Sequence, residues 1–303
     1  MNRRARTTVG YGGCLLLACL LGFGAISFSL ARPAPAATTV TMVGAGDIAD
    51  CGNTRDEATA RLLGRIGGSV FTLGDNVYER GTRAEFRNCY APSWGKYKKR
   101  TKPATGNHEY YTNNAAPYYG YFGARAGNSN KGYYSYNRGA WHVVVLNSNC
   151  DKVGGCGTTS PQGKWLRANL ANDQSKCTLA YFHHPLYASG DNVQTESVRP
   201  FWNMLGADRA DVILSGHAHR YERFAPQTPS GTRSPENGIR QFIVGTGGKP
   251  AYSEAGAKDD NSQVLNDSTP GVLKLNLAAN SYNWKFVPIA GKTFTDSGRD
   301  QCH

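Results

Sequence analysis

The 303-residue chain carries 34 Lys and Arg against 22 Asp and Glu, a formal net charge of +12, and no internal repeat or low-complexity linker divides it. Beyond a leader, that length suits one large domain rather than a repeat array. The basic excess is dispersed, with no Lys/Arg run longer than Lys98-Lys99-Arg100, which disfavours a dedicated nucleic-acid partner and leaves phosphorylated small molecules or anionic polymers as the partners a positive surface would attract.

The first feature in chain order is Arg3, Arg4 and Arg6, followed by an apolar and small-residue run from Cys14 to Leu30 and the small-x-small site Ala34-Pro35-Ala36. This pattern predicts a signal peptide over residues 1–36 and a secreted chain, extracellular or periplasmic, over residues 37–303. Arg3-Arg4 is compatible with twin-arginine export and Leu16-Leu17-Ala18-Cys19 with a lipoprotein box, but the apolar run continues well past Cys19, which favours simple secretion over lipid anchoring or a retained membrane anchor. No later apolar run is long enough to span a bilayer, so no stable span is expected after cleavage. Removing residues 1–36 takes away four arginines and no acid, lowering the net charge from +12 to +8.

Short β-branched or apolar runs at 39–43, 70–73, 142–146, 178–182, 212–214 and 241–244 predict strands, and amphipathic stretches at 55–66, 161–170 and 198–205 predict helices between some of them. This alternation predicts an α/β fold, with a hairpin-like end around 272–277 and 282–287. Six cysteines remain beyond residue 36, an even number in a chain bound for an oxidising compartment. Disulfides are the expectation, since no Cys-x-x-Cys spacing suggests thiolate-bound zinc. Cys150 and Cys156 flank the turn-forming Gly154-Gly155, Cys51 and Cys89 each lie just downstream of a candidate ligand loop, and those two pairs leave Cys177 with Cys302.

Five of the seven histidines fall in three motifs, Gly106-Asn107-His108-Glu109, His183-His184-Pro185 and Gly216-His217-Ala218-His219, and two Gly-Asp pairs precede them, Gly46-Asp47 and Gly74-Asp75. Asp47, Asp75, His183 and His217 each follow a predicted strand within a few residues, and Asn107 follows the shorter 102–105 segment. Ligands gather at the carboxyl ends of strands in open α/β sheets, so five loops are expected to converge on a two-metal phosphoesterase site. The preceding glycines suit tight turns with unusual dihedrals and close approach of backbone to the metals. His217 and His219, at i and i+2, are expected to lie on one side of an extended segment and to reach different ions.

The ordered set Gly46-Asp47, Gly74-Asp75-Asn76-Val77-Tyr78, Gly106 to Glu109, His183-His184-Pro185 and Gly216 to Arg223 resembles the calcineurin-like metallophosphoesterase superfamily, and within it the purple acid phosphatase branch. Most of that superfamily carries Asp-x-His in the first motif; here Asp47-Ile48-Ala49 lacks the histidine, and Tyr78 stands where the purple branch supplies a tyrosine instead. The resemblance implies a four-layer sandwich of two mixed β-sheets flanked by helices. It also implies hydrolysis of phosphate monoesters by a metal-bound hydroxide at a dinuclear centre. The first metal would take Asp47, Tyr78 as phenolate, His219 and a shared Asp75; the second would take Asp75, Asn107, His183 and His217. Anionic oxygens at the first site favour Fe3+, and neutral ligands at the second suit Fe2+, Zn2+ or Mn2+.

Such a metal pair, roughly 3.5–4 Å apart, acidifies a bound water and clamps attacking and leaving oxygens, so no protein nucleophile is required. His108, beside Asn107, is the natural general acid and substrate contact. His184 is placed either against the substrate or behind His183 and His217 as a hydrogen-bonding support. Glu109, Tyr221 and Arg223 are expected to brace the loops, the Tyr-rich stretch 110–136 to pack a long loop, and Gly245 to Gly248 to form a turn near the metals. A phosphodiesterase using the same centre, or a catalytically silent surface-binding protein, are the rival readings; the second is weakened because no ligand position is lost.

Overall fold

In the computed structural model, which describes residue 10 and residues 39–129, 131–190, 193–251 and 257–303, the chain builds two large mixed sheets. One has the order β15 (Ser297–Gln301), β14 (Ser281–Pro288), β13 (Gly271–Leu277), β1 (Val40–Ala45), β3 (Ser69–Leu73), β5 (Thr101–Ala104). The other has the order β12 (Ser262–Asn266), β10 (Tyr221–Phe224), β11 (Arg240–Val244), β9 (Val212–Ser215), β8 (Cys177–Tyr181), β7 (Trp141–Val145), β6 (Tyr134–Arg138). A ribbon of two-residue strands, β2 (Ala49–Asp50) and β4 (Val77–Tyr78), joins the loops that follow β1 and β3. The expected signal peptide falls, apart from Gly10, outside the described residues.

Side-chain alternation along the strands sets the layers. In β7, Val143 and Val145 enter a core shared with Met42, Phe71 and Leu73 of the first sheet, while Val144 and the following Leu146 point the other way, into a cluster with Leu166, Leu170, Phe201, Trp202 and Leu205. Those five belong to the helices Pro161–Ala171 and Arg199–Ala207, so the central parallel strands of the second sheet are covered on both faces. That is why they read as continuous apolar runs rather than an alternating pattern. Helix Pro161–Ala171 opens on Ser160, whose hydroxyl accepts from the Gly163 N–H, with proline in its first turn. Helix Arg55–Arg65 buries Ala60, Leu62 and Leu63 in the same cluster as the side chains of β1 and β3.

β1, β3 and β5 are mutually parallel, as are β7, β8, β9 and β11. Their carboxyl ends meet: the Gly46 N–H donates to the Val244 carbonyl, Gly216 N–H to His183, and Gly247 N–H to Gly46. Three disulfides link Cys51 to Cys89, Cys150 to Cys156 and Cys177 to Cys302. No helix among the described residues is long and apolar enough to cross a membrane. The Tyr-rich stretch packs mainly on itself and its neighbours, with Tyr118 and Phe122 buried beside Phe86 and Tyr90.

Candidate metal centre

Asp47 and Asp75 leave β1 and β3 two residues past the strand ends, and the ladder between these strands continues through both loops, Asp47 N–H donating to the Gly74 carbonyl, Ile48 to Asp75 and Ala49 to Asn76. This continuation holds the two carboxylates at a fixed offset. The unusual dihedrals expected at the preceding glycines fall on Gly74 and otherwise on the candidate ligands: Asp47, Asp75, His217 and His219 have φ of 58°, 45°, 70° and 40°. Left-handed backbone at such residues costs on the order of 1–3 kcal/mol each and persists where surrounding structure over-determines it. Of the four glycines Gly74 alone has positive φ, and Gly106 serves by lacking a side chain, since a Cβ there would lie 2.1 Å from Asp75 Oδ1. His217 and His219 accordingly sit in a bent loop, not on the extended segment predicted from their spacing.

The side chains form two overlapping groups. In the first, the Tyr78 hydroxyl lies 2.8 Å from Asp47 Oδ1, 3.0 Å from Asp75 Oδ2 and 3.1 Å from His219 Nε2. In the second, His183 Nε2 lies 3.3 Å from Asp75 Oδ2, 3.0 Å from Asn107 Oδ1 and 3.2 Å from His217 Nδ1. Asp75 Oδ2 belongs to both. Asp47, Asp75, Tyr78 and His183 are buried.

Backbone carbonyls fix two of the imidazoles. His183 Nδ1 is 2.7 Å from the Leu73 oxygen and His219 Nδ1 is 2.9 Å from the Pro250 oxygen. A carbonyl only accepts, so each Nδ1 carries a proton and each Nε2 is the nitrogen turned to the cluster, where a bound cation would take its lone pair, the arrangement typical of metal-bound histidine. Glu109, 0% exposed, braces the loops from behind by accepting from Asp75 N–H at 3.1 Å, Asn76 N–H at 2.7 Å and Gly106 N–H at 2.6 Å.

In the metal-free cluster the ionisable groups hold one another away from their ordinary values. Burial and the carboxylates of Asp47 and Asp75 push the Tyr78 phenol well above its ordinary value. Burial works upward on Asp75 too, but the adjacent His183 imidazole outweighs it and holds the carboxyl well below the usual range. Burial works downward on His183, which Asp75 nonetheless lifts to about 9. Burial and His183 push His217 down to about 4. A cation at the same point inverts this logic for the phenol, favouring phenolate. Two carboxylates, a phenol, an amide oxygen and three imidazoles therefore suit a pair of cations as a donor set.

His108 stands at the edge. Its Nδ1 is 2.7 Å from the Glu79 carbonyl oxygen, its Nε2 is 3.8 Å from Asp75 Oδ2, and its ring lies between those of Tyr78 and Tyr111. His184 has its Nδ1 2.8 Å from Ser148 Oγ, which also accepts from the His184 N–H, and its ring packs on His217. Burial and the neighbouring His183 and His217 push its pKa well below the ordinary value, so it presents a neutral ring to a cavity of about 420 Å3 shared with Asn107, Tyr110 and Tyr111.

Some participants have no sequence signature. Ser148, the Leu73 and Pro250 carbonyls and Asp296 act through contacts distant in the chain. Asp296 receives Tyr221, Arg223 and Trp284 and so braces β10 against β14. Lys249, whose Nζ lies 4.6 Å from the Tyr78 ring centroid and pairs with Asp50 and Glu79, directly follows the Gly245 to Gly248 turn, and that position was the available signal.

A family model described as calcineurin-like phosphoesterase matches residues 40–221. The chain is 28% identical over 166 residues to "Probable purple acid phosphatase 20" of Arabidopsis thaliana, covering 46% of this chain and 38% of that protein. It is 27% identical over 204 residues to "Purple acid phosphatase 1" of Ipomoea batatas, covering 59% and 42%. The chain thus spans about two fifths of the length of these curated relatives, and other matching relatives carry names beginning "Probable inactive purple acid phosphatase". Among solved structures, purple acid phosphatase PPD1 from yellow lupin (Lupinus luteus) seeds aligns with a TM-score of 0.67 at 17% identity, covering 87% of this chain and 54% of that one, a likeness of fold.

Proposed function

The chain belongs to the calcineurin-like phosphoesterase family, and from that premise we propose that it is a secreted, purple acid phosphatase-like enzyme hydrolysing phosphate monoesters at a dinuclear metal centre. The observation that carries the reading is Asp75 Oδ2, set between a first group of Asp47, Tyr78 and His219 and a second of Asn107, His183 and His217. Fe3+ is assigned to the Tyr78 side for its anionic oxygens, and Fe2+, Zn2+ or Mn2+ to the Asn107 side for its neutral donors. Bound there, the two ions would supply positive charge to the phosphate oxygens and acidify water at neutral pH.

The chain's own residues do the rest. The Leu73 and Pro250 carbonyls hold the His183 and His219 rings with lone pairs forward, and Glu109 pins the backbone of Asp75 and Gly106. His108, anchored through Nδ1 to the Glu79 carbonyl, keeps Nε2 toward the cluster, where in its protonated form it can deliver a proton to the leaving oxygen. His184, held by Ser148, offers its ring edge to the substrate side. Export agrees with the leader pattern at residues 1–36 and with three disulfides.

Metal analysis with an ester panel on wild type and Asp75→Ala tests the reading. The wild type should bind two ions and hydrolyse aryl and alkyl monophosphates faster than the matching diesters. Asp75→Ala should lose both ions and activity, because one carboxylate serves both groups. Two retained metals with wild-type turnover in that variant would refute the dinuclear assignment, and a preference for diesters would refute the monoester assignment.

A further inference from the structure

The region around the centre is electrostatically lopsided. On the Asn107 side, the cation lining the cavity, Lys152, is already paired with Asp151 at 2.7 Å. On the His219 side lies a second cavity of about 320 Å3, lined among the described residues by Arg55, Lys249 and Lys292 against one acid, Asp267. At roughly 30 Å3 per water it holds about ten waters, more than a phosphate group needs.

Lys249 is occupied with Asp50 and Glu79, but Arg55 and Lys292 form no ion pair among the described residues and are exposed. Thr246 and Thr269 add hydroxyl-bearing walls. Among the described residues, five chain segments far apart in sequence build this cavity: the start of helix Arg55–Arg65, His219 in the loop between β9 and β10, the loop after β11, the turn between β12 and β13, and the turn after β14. The Pro250 carbonyl that closes one wall is the one that orients His219, so cavity and centre are separated by one imidazole ring.

Resting on the phosphatase reading, we propose that this cavity is a second anion site that receives a distal phosphate, making the preferred substrates bisphosphate esters. The scissile phosphate sits at the centre and the other a few bonds away, against Arg55 and Lys292. An unpaired guanidinium can bind such a group through two N–H donors. A simple alkyl or aryl monophosphate gains nothing from the cavity.

The test compares α,ω-alkanediol bisphosphates of two to six carbons with the matching alkyl monophosphates, using the purified metal-loaded chain. At least one bisphosphate should exceed its monophosphate by about tenfold or more in kcat/KM, with the difference carried in KM and shrinking as ionic strength rises. In Arg55→Gln/Lys292→Gln that ratio should collapse to about one, whereas Arg55→Lys should keep most of it. A ratio near one at every length in the wild type, or a ratio that survives in the double variant, overturns the second site. Hydrolysis of 4-nitrophenyl phosphate, which has no distal anion, reports on the phosphatase reading alone, so failure of one claim is distinguishable from failure of the other.

Discussion

Glu109→Gln isolates the scaffold from the ligands. One Glu109 oxygen accepts from Gly106 and Asp75 N–H, the other from Asn76 N–H. A glutamine keeps the shape but turns one of those oxygens into a donor. In the cheaper orientation the amide replaces the Asn76-facing oxygen, leaving one buried N–H against another donor at a cost of about 1–3 kcal/mol. The two remaining bonds lose their charge assistance, about 1 kcal/mol each. Against this, burial and the Asp75 charge push Glu109 up to about 7, so removing its charge relieves some repulsion. A net loss of about 2–4 kcal/mol in unfolding free energy of the metal-free protein is expected, measured by urea unfolding followed through tryptophan fluorescence. Asp75 and Asn76 lose their anchor as well, so metal affinity should fall about 10–100-fold, as for other supports behind metal ligands. Stability within about 0.5 kcal/mol of wild type, together with unchanged metal affinity, would refute the bracing argument.

His108→Ala removes no metal-facing donor of either group, so metal content should persist while turnover of esters with poor leaving groups falls by about 10²–10⁴-fold; equal losses on activated aryl esters would argue against proton donation. Tyr78→Phe deletes one hydroxyl between Asp47 and Asp75, so the iron-loaded oxidised protein should lose a visible absorption band that the wild type shows, with the fold intact by circular dichroism. An iron-loaded wild type without such a band would remove Tyr78 from the ligand set. Asp56 is pushed by burial, against a hydrogen bond with Ser93, up to about 7 from 3.8. The folded state therefore holds this proton more tightly than the unfolded chain, and the associated stability, full below about pH 4, is lost as pH rises through about 7. Asp56→Asn should flatten that part of the stability–pH curve, and an unchanged slope would rule Asp56 out as its source.

Much of the architecture was legible because it is local. The predicted runs became β1, β3, β7, β8, β9, β11, β13 and β14 with shifts of a residue or two at their ends, and the three predicted helices formed over nearly the predicted spans. The strands that escaped notice have local reasons. β2 and β4 are two residues long, β10, Tyr-Glu-Arg-Phe, has two charged residues among four, β12 and β15 are largely polar and partly exposed, and β6, Tyr-Ser-Tyr-Asn-Arg, begins in a stretch read as loop packing. Edge position explains β6, β12 and β15, since a strand paired on one side needs no continuous apolar run.

The candidate ligands were proposed from the order of the Asp, Asn and His motifs at strand ends, with Tyr78 added by the family resemblance, and the structure brings these residues together in two groups around Asp75 Oδ2. The expectation that glycines would absorb the strained dihedrals held at Gly74 and failed at Gly46, Gly106 and Gly216 for a physical reason. The carboxylate and imidazole rows must turn inward at the ligand itself, so the positive φ moves to Asp47, Asp75, His217 and His219 while Gly106 and Gly216 yield space.

By itself, then, the sequence determined the kinds of candidate donor, their order along the chain, the strands that precede them and the local Cys150–Cys156 pair, because each is set by neighbours in the chain or by the chemistry of single side chains, whereas Cys177 and Cys302, 125 residues apart, meet only through packing. The tertiary structure alone decided which oxygen of Asp75 both groups share, which nitrogen of His183 and His219 faces the cluster, and how Asp296 ties β10 to β14. It also decided that Arg55 and Lys292, more than two hundred residues apart, line one cavity beside His219. Those outcomes depend on loops from both sheets meeting at one end, and no local pattern encodes a distance between residues that only packing brings together.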